Sequence, residues 1–136
     1  MNIPIVNVTS LAVATSSNGT ARNGAALVTG WFDPGACHFL CTSAITTSGV
    51  IATFKLQGTF DGSTYFDING ATWSSEAGTG GAVTTRKSLT VPTSAQAFKY
   101  VRCVATLAGA ATAPADTTAV VACYNPFGRL YGAATI

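Results

Sequence analysis

Apolar and polar residues alternate most cleanly between Val50 and Ile68, where Ala52, Phe54 and Leu56 are separated by Thr53, Lys55 and Gln57, and Tyr65, Phe66 and Ile68 follow. A period of two predicts strands, with Phe54 and Leu56 buried and Lys55 and Gln57 towards water. Between the two runs lies Phe60-Asp61-Gly62-Ser63. Asp61 can bond its own neighbouring backbone and Gly62 accepts the positive φ of a tight turn, so the stretch predicts a hairpin.

The rest of the chain carries the same kind of signal. Residues 3–15 are β-branched and partly alternating, and Pro4 confines their start to an edge strand or an extended arm. Ser16 to Thr20 reads as a turn and Arg22-Asn23-Gly24 as a second flexible site. Ala25 to Phe32 then resumes strand character until Asp33-Pro34-Gly35 stops it. From Cys37 to Thr46 one face carries Cys37, Phe39, Cys41 and Ile45 and the other His38, Leu40, Thr42 and Ala44, the pattern expected of a central strand. Asn69 to Gly81 reads as a Gly- and Ser-rich loop carrying Trp73 and Glu76.

Beyond that loop Val83 to Val91 alternates weakly, while Phe98 to Leu107 places Val101, Cys103, Ala105 and Leu107 inward. Phe98 and Tyr100 fall on the opposite phase, which suggests a bulge or partial cover. After a small-residue loop, Thr117 to Tyr124 is the last strand, and residues 127–136 stay apolar to the end. No stretch shows a helical period with caps, and turn signals recur about every eight to twelve residues. The expected fold is therefore all-β: a single antiparallel β-sandwich domain over residues 1–136, jelly-roll or Ig-like, with extended terminal arms.

The wording Leu56-Gln57-Gly58-Thr59-Phe60-Asp61-Gly62-Ser63-Thr64-Tyr65-Phe66-Asp67-Ile68, followed by Phe98-Lys99-Tyr100-Val101-Arg102-Cys103-Val104, resembles a small β-sandwich common in virion proteins of tailed bacteriophages. Tyr65-Phe66 stands where that family usually has Trp, and Lys99 where it often has Arg. A looser form of the pattern occurs in discoidin-like carbohydrate-binding sandwiches. The resemblance implies a structural role and brings no catalytic residues with it. By analogy with decoration proteins at threefold positions it also implies a homotrimer.

Composition adds to this picture. Only 9% of the 136 residues are charged and 48% are hydrophobic, against about a quarter charged in an average domain. Such a surface suits a protein largely covered by neighbours. The net charge of +2 is scattered, with only Arg86-Lys87 adjacent, so no nucleic-acid footprint is present. No apolar run is long enough to span a bilayer and Met1 to Ile5 lacks the features of a signal peptide, so the expected place of synthesis and assembly is the host cytosol. In that reducing compartment the four cysteines are expected to pack as buried thiols, Cys103 and Cys123 being the pair able to become cross-strand neighbours.

Candidate chemistry is sparse. Cys37-x-x-x-Cys41 with His38 between them lacks the second ligand pair that tetrahedral zinc needs. His38 is the only histidine, and no serine sits in a nucleophile-elbow context. Asp33, Asp61, Asp67, Glu76 and Asp116 offer no evident catalytic pair. Neither an enzyme nor a cofactor is expected.

Trp31, Tyr65, Trp73 and Tyr131 are candidates for stacking on sugar rings, with Trp73 the best placed. The apolar termini point instead to protein contacts, so the expected interaction residues are Ile3, Ile5, Trp73, Phe127, Leu130, Tyr131 and Ile136. The expectation is a virion structural protein, a decoration or cement protein that binds the major capsid protein or another virion protein and stabilises the assembled head. The alternative is a carbohydrate- or receptor-binding module of a tail fibre or baseplate.

Overall fold

The computed structural model describes residues 6–15, 19–29, 37–109 and 116–124. Among them the chain forms nine strands: β1 Val6–Thr15, β2 Ala21–Asn23, β3 Leu27–Val28, β4 His38–Ile45, β5 Ile51–Thr59, β6 Tyr65–Ser74, β7 Val83–Thr90, β8 Tyr100–Ala108 and β9 Thr117–Tyr124. A short 3-10 turn, Thr93–Ala97, lies between β7 and β8. The strands build two antiparallel sheets, a four-stranded one in the order β1-β9-β4-β7 and a five-stranded one in the order β2-β8-β5-β6, with β3 added to β8.

Connectivity decides between the two expected sandwiches. The first and last of these strands pair with one another; the β5–β6 hairpin and the short β2–β3 step stay within the five-stranded sheet, and the other connections pass from sheet to sheet. That interleaving is the double Greek key of a jelly roll and differs from the immunoglobulin arrangement.

The inward phase agrees with the alternation in the sequence. Phe39, Cys41 and Ile45 of the four-stranded sheet meet Phe54, Leu56, Val101, Cys103 and Leu107 of the five-stranded one, all of them inaccessible to solvent. Each large apolar side chain buried this way stabilises the fold by about 1.5–3 kcal/mol relative to exposure. At the hairpin, Asp61 Oδ1 accepts from Ser63 N and Thr64 N, both at 2.8 Å, and from Thr59 Oγ1 at 3.0 Å.

Several boundaries differ from expectation. Arg22-Asn23 is not a flexible site: it forms β2, paired with Ala105 and Val104 of β8, and Gly24 beyond it packs against Ser10 and Cys103 with no room for a side chain. Strand character within 25–32 is confined, among described residues, to Leu27–Val28, and Trp31 lies outside the described residues. Asn69 to Ser74 is not loop but the second half of β6. The register passes from Gln57↔Asp67 to Lys55↔Thr72, so β6 spends extra residues in a wide bulge at Ile68 to Ala71, where Gly70 takes φ 77°. The bulge considered for β8 is absent there: β8 pairs with β5 without a break from Tyr100 to Ala108.

Candidate interaction surface

Three parts of the surface are built differently: the sides of the sandwich, one end of it, and the two outer sheet faces. The open sides are sealed by single long residues. On the β1/β2 side Arg22 reaches across, Nη1 donating to Thr118 O (2.7 Å) and Oγ1 (2.8 Å) and Nη2 to Ala12 O (2.7 Å). On the β6/β7 side Trp73 stacks on Phe54 with ring centroids 5.2 Å apart, and Lys87 Nζ lies 5.8 Å from the Trp73 centroid. Trp73 is thus half-buried on a strand and continues the core rather than standing in a loop.

At one end of the sandwich Phe60, Phe66 and Phe98 gather, with centroid separations of 4.9 to 6.3 Å. Phe98 lies against Gly58, where a Cβ would stand 2.2 Å from the ring, so any other residue at 58 would displace it. This is the partial cover that the phase of Phe98 suggested. Phe60 and Phe66 remain 58% and 49% exposed. Val6 and Tyr124, the outermost described residues, pair at this same end. Ile3, Ile5, Phe127, Leu130, Tyr131 and Ile136 lie outside the described residues.

The outer face of the five-stranded sheet is polar and internally satisfied. Lys55 Nζ sits 3.0 Å from the Asp67 carboxylate, Gln57 Nε2 donates to Asp67 Oδ1 at 2.7 Å, and Arg102 donates twice to Gln57 Oε1 at 2.9 and 3.1 Å. The Arg102 guanidinium also lies 3.4 Å from the centroid of Tyr65. The Gln57 hydrogen bond, then Lys55, holds the Asp67 carboxyl below its usual range. Asp61 is lowered to about 2 by the Thr64 and Ser63 amides and the Thr59 hydroxyl.

The outer face of the four-stranded sheet is the opposite. Its cross-strand rows read Asn7–Cys123–His38–Thr90, Thr9–Val121–Leu40–Ser88, Ala119–Thr42–Arg86 and Thr117–Ala44–Thr84. Arg86 is the one permanently charged residue among them. Leu40, at the centre, is 42% exposed. A shallow depression of about 420 Å³ lies here, its lining including Leu40, Val121, Asn7, Arg86, Lys87 and Ser88. The two apolar faces of β4 predicted a central strand, which it is, and among the described residues nothing covers its outer side. The signal available was the run of small, uncharged residues at alternate positions of β4 and β9.

At the far end, Asp116 is fully buried. Burial raises its carboxyl pKa, but hydrogen bonds to Oδ1 from Thr46 N (2.7 Å), Thr47 N (3.2 Å) and Thr46 Oγ1 (3.0 Å) outweigh that, and the net shift is downward. Among the described residues no group of histidine, cysteine or carboxylate side chains could hold a metal ion. All four cysteines are free thiols. The expected Cys103–Cys123 neighbourhood is not formed: Cys123 turns outward to Asn7 Oδ1 at 2.8 Å, whereas Cys103 Sγ lies 3.9 Å from Cys41 Sγ.

These features define a jelly-roll β-sandwich with one bare, nearly uncharged sheet face. No protein-family model matches the sequence. No curated protein matches it either. Among solved structures, that of the infectious bursal disease virus Gx strain superposes with a TM-score of 0.52 at 8% identity, covering 90% of this chain and 32% of that one. The crystal structure of the infectious bursal disease virus VP2 subviral particle gives a TM-score of 0.50 at 12% identity, covering 96% of this chain and 34% of the other. The chain thus spans about a third of the length of the chains it matches. At such identities the likeness is one of fold.

Proposed function

We propose that this chain is a structural virion protein of a tailed phage, a capsid decoration or cement protein that lays the outer face of its four-stranded sheet against the major capsid protein. The observation that carries the reading is that face itself: among the described residues its rows are mostly Thr, Ala, Ser, Val and Leu around an exposed Leu40, with Arg86 as the one permanent charge in the rows and Lys87 at their edge. Covering such a surface removes apolar area from water without stripping many ions of their hydration. Standard interfaces take about 800 Å² from each partner, an area of the order that one sheet face offers.

The fold likeness to proteins of infectious bursal disease virus particles supports a particle component, and the hairpin wording supports the phage sandwich family. In this reading the protein acts by burial and not by catalysis, assembles on heads in the host cytoplasm, and is a homotrimer at threefold positions. Quantitative mass spectrometry of purified virions and of isolated heads and tails tests it. Hundreds of copies on heads support cement; a few copies confined to tails overturn it in favour of a receptor- or carbohydrate-binding module.

A further inference from the structure

Cys41 lies on β4 and Cys103 on β8, each in the interior of its own sheet, since β4 runs between β9 and β7 and β8 between β2 and β5. Both side chains point inward and are inaccessible to solvent. Their sulfurs stand 3.9 Å apart, the two residues being separated by 62 positions in sequence. A disulfide requires the sulfurs to come roughly 2 Å closer. Inter-sheet bridges of this kind span the core of other β-sandwiches, so the spacing of packed sheets is compatible with the bond.

We propose that Cys41 and Cys103 form a latent inter-sheet disulfide site, closed by a small hydroperoxide once the protein leaves reducing surroundings. The proposal rests on this geometry and stands whether or not the chain is a virion protein. In the first step one thiol gives up its proton and the thiolate attacks the peroxide oxygen; the O–O bond breaks, a sulfenic acid forms, and the hydroxide expelled takes up the released proton and leaves as water. The second thiol then displaces the sulfenic oxygen as water and the S–S bond forms. Two thiols and one hydrogen peroxide become one disulfide and two waters.

Hydrogen peroxide is little larger than water and suits a closed core. The hydrogen bond shared with Cys103, then burial, holds the Cys41 thiol far above the usual thiol range. Thiolate is therefore scarce and closure is slow. Cys37 and Cys123 belong to a different neighbourhood: burial and then the proximity of Cys123 push the Cys37 thiol up to about 12.

The test uses the intact protein, prepared under reductant, freed of it, and incubated with hydrogen peroxide. The thiol count in denaturant is expected to fall from four to two, with non-reducing peptide mapping finding Cys41 joined to Cys103 and short of two hydrogens. Closing a loop of this length raises Tm by roughly 5–15 °C, and dithiothreitol should reverse the shift. Cys123→Ala should keep both the cross-link and the shift, and Cys103→Ala should lose both. Retention of four thiols, a cross-link through Cys37 or Cys123, or sulfinic acid at Cys41 with no cross-link would overturn the proposal. The wild-type map decides this even if the core variant fails to fold.

Discussion

On the outer face of the five-stranded sheet Lys55, Asp67, Gln57, Arg102 and Tyr65 are arranged to satisfy one another, whereas across the sandwich an exposed Leu40 stands among the half-buried Val121, Thr42 and Ala119, with Arg86 the one permanent charge in the described rows. The inner faces of the two sheets share one core, with Ser43 and Thr118 buried among the apolar residues on the four-stranded side, so the contrast lies on the outer faces. Polar groups already paired gain little from a partner, while an apolar face gains from every Å² removed from water. In the proposed attachment the five-stranded sheet faces outward and the four-stranded sheet faces the shell.

Breaking the inner half of the comparison should have the largest effect. Leu56→Ala empties a fully buried site at the centre of the five-stranded sheet and is expected to cost about 2–5 kcal/mol in chemical denaturation. If the denaturant midpoint moved less for Leu56 than for its neighbour Lys55, the register of β5 would be wrong. Next in size is Leu40→Glu, which puts an unpaired carboxylate at the centre of the bare face. The protein should stay folded by circular dichroism while binding to heads weakens about a hundredfold, roughly 2.7 kcal/mol. Unchanged binding would move the contact to another surface.

Asp116→Asn removes the carboxylate that three donors from Thr46 and Thr47 share, and should cost about 1–3 kcal/mol. The folded carboxyl titrates below its unfolded value, so the stability it contributes is present above the unfolded pKa of about 3.9 and is lost as pH falls through the folded one. A wild-type stability curve that dropped no more steeply below pH 4 than that of Asp116→Asn would contradict this. Smallest is Lys55→Ala: its partner Asp67 is exposed, so stability should change by no more than about 0.5 kcal/mol and head binding not at all.

The hairpin was legible in the sequence because its two signals, alternation and Asp61-Gly62, are local and agree. The inward phases of β4, β5 and β8 were legible for the same reason. The bulge in β6 was not, since Asn69-Gly70 signals a turn equally well within a strand and between strands, and only pairing to Lys55 and Gln57 separates the two. The contact between Cys41 and Cys103 was hidden because it depends on which sheet each strand joins, a property of topology that no window of sequence contains. The exposure of the outer face was hidden by an ambiguity of pattern: two apolar sides mark β4 as central and do not say whether its outer side is covered.

One feature of the topology also sets the order of events on the way to this fold. β9 lies between β1 and β4, so the last of the described strands supplies the middle of the four-stranded sheet, pairing residues as distant as Asn7 and Cys123, 116 positions apart. Until it is inserted β1 has no partner among the described strands of that sheet. Pairings so remote in sequence place folding on the millisecond-to-second scale of all-β proteins, with β1 as an unsatisfied edge throughout. The β5–β6 hairpin of the other sheet is local by contrast, and can close as soon as Ser74 is free.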